Sequence, residues 1–541
     1  MAKGLFMYFD IETGYYPGLH HGLAYLMGSV NQDHDIRFLH IFSENHLLEA
    51  KDLIEKNDWD FVGSSFTTNQ RKYLWELFEK TDVSNQFVIG GGVHPTLDKE
   101  NTFKEFPEFD AICVGEGETS FLELCNRLDN GQDVSETPSF IFKEVDEAGK
   151  FKFKKNPVAP LMHIDDLPFP DYTVFDYKRI IKDGGNVFAM MLGRGCPYQC
   201  TYCASSHLWK EYPNPENWVR FPSVKRSIEL IKRNLALYPD TQSIIFADDT
   251  FTVRKDWIQE FCAAYKKEIG LPFECNARVE TIRDEVCEAL KSGGVTSIDF
   301  GVESGSEWLR NNIVNRKHNN QRIIKCFDFL EKHNIRGFSY NIVGMPFETP
   351  AMMKATYELN RHHLKGARYG RAFYYYPYPG TGLHDLSVKY KLLRPKIENL
   401  TGYLEAPTVL EVHASHKEIR KWFKKINLLF AVRLMCDRFY LPRAVSEVVV
   451  SITQLFWRPL AEIVEPDKSN VVMRNINKKL KLIVKRFRKP GHSVYDSHEV
   501  RKIEVSQIQD EIQGEEKKMD NPKKGTIFSE ERERTNNPLQ L

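Results

Sequence analysis

Hydrophobic positions in the first 145 residues fall into short runs separated by stretches with helical spacing. The runs 5–9, 36–41, 61–66, 86–89 and 111–114 have the length and apolar character of buried strands. Between them, residues 22–31, 46–57, 69–81 and 101–105 carry helical patterns. Strands alternating with helices predict an α/β domain built on a parallel, doubly wound sheet. Alternation resumes at residue 184, with six strands expected at 187–192, 243–246, 273–276, 297–302, 337–343 and 371–375. Helical patterns at 224–237, 255–267, 283–292, 320–332 and 350–362 separate them. Residues 146–183 read as a linker, because prolines at 157, 160, 168 and 170 favour extended backbone.

Beyond residue 390 the pattern is helical. An apolar stripe runs through Ile419, Trp422, Phe423, Ile426, Leu429, Phe430 and Leu434, and residues 444–464 are more apolar still. Residues 474–489 hold eight basic side chains and no acidic one, with Ile476, Leu480, Ile483 and Phe487 spaced for one helix face. Such a helix either lies on an anionic membrane surface or packs on its own protein. From 491 onward the chain is polar, charged and poor in aromatics, which predicts disorder. The expected organisation is therefore 1–145, a linker 146–183, 184–390, a helical region 391–490 and a tail 491–541.

Composition narrows the classes. Lys+Arg and Asp+Glu both number 74, so no global field points to nucleic acid. Ten cysteines with three clustered, and no export signal in the first ten residues, predict a cytoplasmic protein in a reducing compartment. No run of about twenty residues is apolar enough to span a bilayer.

The chemistry concentrates in Gly193-Arg194-Gly195-Cys196-Pro197-Tyr198-Gln199-Cys200-Thr201-Tyr202-Cys203. Closely spaced thiolates on one loop suit an iron–sulfur cluster, and three ligands would leave one iron open to a reacting molecule. A zinc site would need a fourth ligand, for which His207 stands near but at unusual spacing.

This loop resembles that of the radical S-adenosylmethionine (SAM) enzymes, which also place an aromatic residue, here Tyr202, before the last cysteine. The six strand–helix units are similar to that family's partial (β/α)6 barrel. The resemblance implies a [4Fe-4S] cluster on Cys196, Cys200 and Cys203, SAM chelated to the fourth iron, and an electron donor of flavodoxin or ferredoxin type. It assigns SAM's amino group to Asp248, with a cap of the following helix as the alternative role, and SAM's carboxylate to Arg278. It places the ribose hydroxyls at Glu303, with Ser304 beside it as a further cofactor contact, and adenine at the segment Asn341–Thr349, which contains Gly344. Tyr374 and Tyr376 either line a substrate pocket, where one could act as acid or base, or cover the barrel end.

The first domain resembles the cobalamin-binding domain found ahead of many radical SAM proteins. The resemblance rests on Gly63–Thr68 with Ser65 and Thr67, on Gly90, Gly91, Gly92 and His94, on Gly115 and Glu116, and on the stretch His20–Leu26. The Asp-x-His-x-x-Gly motif of many cobalamin proteins does not occur, which puts histidine ligation in doubt. The alternative is a doubly wound domain that has lost its ligand or binds another nucleotide-like molecule. The resemblance implies methyl transfer through cobalamin to an unactivated carbon of a small molecule or lipid. Radical cyclisation, rearrangement or oxidation without methyl transfer is a second reading, and a non-catalytic sensor a third, against which the intact cysteine triplet weighs.

Overall fold

A computed structural model describes residues 1–10, 20–30, 33–145, 151–183, 185–364 and 366–393, together with 410, 412, 414–439, 441, 443–457 and 460. The basic stretch 474–489 and the tail 491–541 lie outside the described residues, as do parts of the linker.

The first domain is a seven-stranded sheet. Its strands are β1 (Lys3–Phe9), β2 (Asp35–Ile41), β3 (Phe61–Ser65), β4 (Val88–Gly91), β5 (Ala111–Cys113), β6 (Phe140–Val145) and β7 (Phe151–Lys155). They lie in the order β2-β1-β3-β4-β5-β6-β7. The first five are parallel, and β6 and β7 add antiparallel strands. The order reverses between β1 and β3, and ligands of such sheets bind beyond the carboxyl ends of the strands at this switch. Apolar side chains from both faces of β1 fill two cores: Phe6 and Tyr8 face one, Leu5, Met7 and Phe9 the other.

The expected boundary at 145 is displaced, because it falls between the paired strands β6 and β7. Here Phe151-Lys152-Phe153-Lys154-Lys155 alternates as a half-exposed edge strand, and lysines along it discourage pairing with other chains. The proline-bearing connector is also more than a tether. Asp171 N–H donates to Ala24 O at 2.8 Å, and Tyr172 and Tyr177 are fully buried beneath it.

The second domain is a six-stranded, all-parallel sheet of β8 (Val187–Met190), β9 (Ser243–Phe246), β10 (Phe273–Ala277), β11 (Val295–Glu303), β12 (Arg336–Val343) and β13 (Ala367–Tyr374). Sequential order from β8 to β13 without pairing of the two edges makes an open, partial barrel. The helix His416–Arg438 covers the β13 edge. Its Asn427 accepts from Ala372 N–H at 2.8 Å and donates to Ala372 O at 3.2 Å, so one amide satisfies strand groups that lack a neighbouring strand. Gly370 on β13 lies directly under the Phe430 ring, and a Cβ there would collide with it. Among the described residues no helix is long and apolar enough to cross a membrane.

Candidate active site between the two domains

The cysteine loop leaves β8 at its carboxyl end, where barrel sites lie. Two devices fix its start. Arg194 and Arg220 exchange backbone hydrogen bonds of 2.8 and 2.9 Å. Gly195, at φ +80°, sits so close to the Trp218 carbonyl that a side chain could not fit. Farther along, Ser206 donates to the carbonyls of Cys200 and Cys203, both at 2.7 Å. Cys200 is buried and receives Arg278 Nη1 on its sulfur at 2.8 Å, while Cys196 and Cys203 are half-buried. Burial pushes the Cys203 thiol up to about 12 and raises Cys196 as well, so iron binding must displace protons.

The zinc alternative loses its fourth ligand here. His207 Nδ1 lies 3.2 Å from Cys203 O, and Nε2 accepts the Gly382 N–H at 3.0 Å. Three sulfurs opening from one loop, with neighbouring side chains already committed to backbone, fit a cluster with one iron not held by protein.

A cavity of about 450 Å³ lies between the domains. The first domain lines it with Ser65, Gly90, Gly91, Gly92, Gly115 and Glu116, as the sequence predicts, and with His20 from the start of the helix His21–Val30. The barrel contributes Arg194, Gly195, Cys203 and Asp249. A Cβ on Gly91 would find nothing closer than 3.9 Å, so this glycine leaves room that a ligand can fill. Gly90, Gly92 and Gly115 are instead packed so closely against Phe109, Ser65 and Tyr212 that a side chain there would collide with them. The glycine cradle and largely apolar wall fit a corrinoid. Burial takes His20 down to about 4 and His21 to about 3, so both rings are neutral near pH 7.

Two predicted residues of this domain stand elsewhere. Thr67 caps a short turn with Gln70. His94 is buried away from the cavity, between Thr68 Oγ1 at 3.1 Å and Glu105 Oε2 at 3.0 Å. Its imidazole, Asp98 and Glu105 offer ligand atoms within 4.8 Å of one another, but Arg71 pairs with Glu105 at 2.5 Å and balances that charge without an ion.

Four charges join the domains, with Arg194, Arg220 and Glu118 buried and Glu116 half-buried. Arg194 reaches Glu116 at 2.8 Å and Glu118 at 2.5 Å and stands over the Tyr25 ring, while Arg220 also pairs with Glu116. Burial alone would raise the Glu116 carboxyl, but Arg194 and Arg220 outweigh it and hold the group below its ordinary value. The position of Glu116 in a Gly-rich loop signals ligand contact; its partners are 78 and 104 residues away and invisible locally.

The predicted SAM contacts sort differently from expectation. Asp248 is 2 % exposed, and its carboxylate accepts from Leu192 N–H at 3.2 Å and Gly193 N–H at 2.5 Å. It therefore anchors the cysteine loop, while neighbouring Asp249, held by Ser205 Oγ at 2.8 Å, is the one that faces the cavity. Arg278 is engaged by Cys200, by Glu280 at 2.6 Å and by the Tyr198 ring at 3.8 Å. Ser304 is buried against Thr356. Cys275 on β10 is a buried thiol with its pKa raised well above the usual range by desolvation.

Glu303 accepts from Tyr202 Oη at 2.6 Å and pairs with Arg316 at 2.8 Å. Both Tyr202 and Glu303 line a second cavity of about 340 Å³ inside the barrel, walled by Tyr340, Phe373, Tyr374, Tyr376 and Tyr378. Tyr374 also stacks on Phe423 of the covering helix at 3.9 Å, so it packs against that helix as well as lining the cavity.

Gly344, at φ +81°, donates its N–H to Glu348 Oε2 at 2.6 Å, and Met345 N–H donates at 3.2 Å. Burial raises the Glu348 carboxyl to about 8 against those two hydrogen bonds. Its folded value exceeds the ordinary 4.5, so the native state keeps a proton that the unfolded chain loses. The stability contribution is therefore full below 4.5 and is lost as pH rises toward 8. Denaturant melts of Glu348→Gln should fall less steeply than the parent's between pH 5 and 8, by at most about 1.4 kcal/mol per pH unit. Equal slopes would refute this assignment.

Comparisons with known proteins agree with this geometry. Residues 190–359 match the radical SAM superfamily and residues 11–125 match the B12 binding domain. The chain is 29% identical over 419 residues to Uncharacterized methyltransferase PH0819 of Pyrococcus horikoshii, covering 76% of this chain and 87% of that protein. It is 26% identical over 279 residues to the anaerobic magnesium-protoporphyrin IX monomethyl ester cyclase of Rubrivivax gelatinosus, spanning 51% of this chain but about half, 48%, of that relative. Among solved structures, the cobalamin-dependent SAM radical enzyme OxsB superposes with a TM-score of 0.63 at 15% identity, covering 90% of this chain and 75% of OxsB. The methyltransferase TsrM of Kitasatospora setae gives 0.56 at 13%, covering 78% of this chain and 83% of TsrM.

Proposed function

Because this chain belongs to the radical SAM superfamily and carries a B12-binding domain ahead of its barrel, we propose that it is an enzyme transferring a methyl group, by way of cobalamin, to an unactivated carbon. The supporting observation is the shared cavity: Cys203 and Asp249 of the barrel face Gly90–Gly92 and Gly115 of the first domain across one space. When bound, the cluster and SAM supply hydrogen-abstracting radical chemistry and the corrinoid carries the methyl group.

The protein's own contribution is placement and exclusion of water. Cys196, Cys200 and Cys203 would hold the cluster. Arg278 brings a permanent cation within hydrogen-bond distance of the Cys200 sulfur. Asp248 fixes the height of the cysteine loop on β8 and β9, and Arg194 fixes that loop against the corrinoid domain. Glu303, presented at the wall of the second cavity, remains the proposed partner of SAM's ribose hydroxyls, with Gly344 as the approach for adenine. The tyrosine walls suit an apolar substrate portion. The Tyr376 hydroxyl, held above its ordinary value by burial, stays protonated and can donate to the substrate.

The test uses reconstituted protein, a low-potential flavodoxin or ferredoxin as donor, and SAM labelled in its methyl group. Label in the product is expected. Turnover to an unlabelled product would support the cyclisation or rearrangement reading, for which the cyclase relative speaks, and would sink methyl transfer.

We infer a second, peripheral role for the C-terminal region as a contact with an anionic lipid surface. The helix Arg443–Leu455 is tied to the barrel through Glu447, which pairs with Arg361 and with Arg433 at 3.4 Å. Val445, Val448, Ile452 and Leu455 are exposed at helical spacing, and Phe456 follows them. The eight basic residues of 474–489 supply the charge such a surface attracts. Flotation with phosphatidylserine vesicles should be lost in Val448→Glu/Ile452→Glu. Unchanged flotation, or equal binding to neutral vesicles, would refute the inference.

A further inference from the structure

The cavity contains one imidazole among its lining side chains, that of His20. Its neighbour His21 turns the other way and meets Tyr172 Oη at 3.1 Å. His20 instead packs edge-on against the Tyr8 ring at 5.5 Å and caps the helix that follows it, with Nδ1 accepting the Leu23 backbone N–H at 3.1 Å. A peptide N–H can only donate. A neutral imidazole has one bare nitrogen and one N–H, so Nδ1 is the bare nitrogen and Nε2 carries the proton. Among the described residues nothing is hydrogen-bonded to Nε2.

This tautomer decides what His20 can do. A metal ligand needs a lone pair, and Nε2 could offer one only if the proton moved to Nδ1. There it would point at the Leu23 N–H and remove the side-chain half of the cap, leaving that N–H to the His20 carbonyl at 3.0 Å. The other titratable liners of the first domain are no better placed to replace it. Glu116 and Glu118 are committed to arginines, and Cys113 is a neutral thiol pushed up to about 12 by burial.

Resting on the proposed corrinoid reading of this cavity, we propose that His20 is a hydrogen-bond donor to an acceptor oxygen of the corrinoid and not a ligand of its cobalt. The missing Asp-x-His-x-x-Gly motif is then not replaced by the histidine that stands at the start of the same helix. His20 recognises the ligand's periphery, and the chain leaves the cobalt without a protein nitrogen.

The experiment uses the full chain and two probes. The first is cobinamide reduced to Co(II), which lacks the nucleotide base, so any nitrogen superhyperfine splitting in its electron paramagnetic resonance spectrum must come from protein. The second is hydroxocobalamin, titrated by absorbance against parent, His20→Ala and His20→Gln, with circular dichroism confirming the fold of each. We expect no nitrogen splitting in the parent. His20→Ala should bind hydroxocobalamin about fivefold more weakly, the worth of one hydrogen bond, and His20→Gln, whose amide places an N–H near the position of Nε2, should recover most of the loss. Nitrogen splitting in the parent that vanishes in His20→Ala would make His20 a ligand and overturn the proposal. Unchanged affinity in His20→Ala would overturn it while leaving the corrinoid reading intact, whereas a parent that binds neither probe would overturn both.

Discussion

Cys200→Ala should lose iron–sulfur loading and, with it, reductive SAM cleavage, which is expected to fall to background, more than about a thousandfold below the parent. Cys200 is the most enclosed of the three thiols, held from below by Arg278 and through its carbonyl by Ser206. A cluster bound by three thiolates has no spare protein ligand, so removing one leaves two irons open instead of one. The loss is chemical, not structural: replacing a buried thiol by a methyl group costs the fold little, and the apo-protein melt should move only slightly. Iron and sulfide analysis with anaerobic absorbance spectra reads the first claim, and 5′-deoxyadenosine formation the second. A Cys200→Ala protein that still loads a full cluster and cleaves SAM would remove the loop from the mechanism.

Arg194→Met should destabilise the folded protein by about 3–5 kcal/mol, because it leaves a buried carboxylate without its cation. Arg194 is 9 % exposed and Glu118 6 %, and the pair meets at 2.5 Å. Glu116 keeps Arg220 but loses one of the two cations that hold its pKa down. In the parent, that depressed value adds stability that is present above the unfolded carboxylate value, about 4.5, and is lost as pH falls through the folded one. Arg194→Met should therefore show a shallower loss of stability below pH 4.5 as well as a lower plateau at pH 7. The double variant Arg194→Met/Glu118→Gln should recover a substantial part of the neutral-pH loss, since the stranded charge is gone. Denaturant unfolding of the three proteins across pH measures this. A single variant as stable as the parent would show that the four-charge network does not hold the domains together. The same variant should weaken corrinoid binding, because Arg194 and Glu116 both line the cavity.

The two variants act on one loop through different physics. Cys200 matters for what its sulfur can bind, and Arg194 for where the loop stands relative to the other domain. A melting curve separates them: the first should leave it nearly unmoved, and the second should not.

The sequence alone determined the elements and the chemistry that is local in the chain. Apolar runs between helical stretches specify strands because burial on both faces demands continuous hydrophobicity, and all eleven predicted strands exist. Three cysteines within eight residues are a ligand set by proximity along the chain, and glycines after strands mark where backbone can approach a ligand. What only the tertiary structure decided is which polar side chains are free to use these positions. Asp248 and Asp249 are adjacent, yet the first is consumed by peptide N–H groups 55 and 56 residues away and only the second faces the cavity. His94 follows a cavity-lining glycine loop but turns to Glu105, while His20 enters the cavity. The β6–β7 hairpin was hidden behind prolines that suggested a linker. Each of these outcomes depends on long-range partners, whose desolvation and hydrogen bonding outweigh the local preference that a motif records.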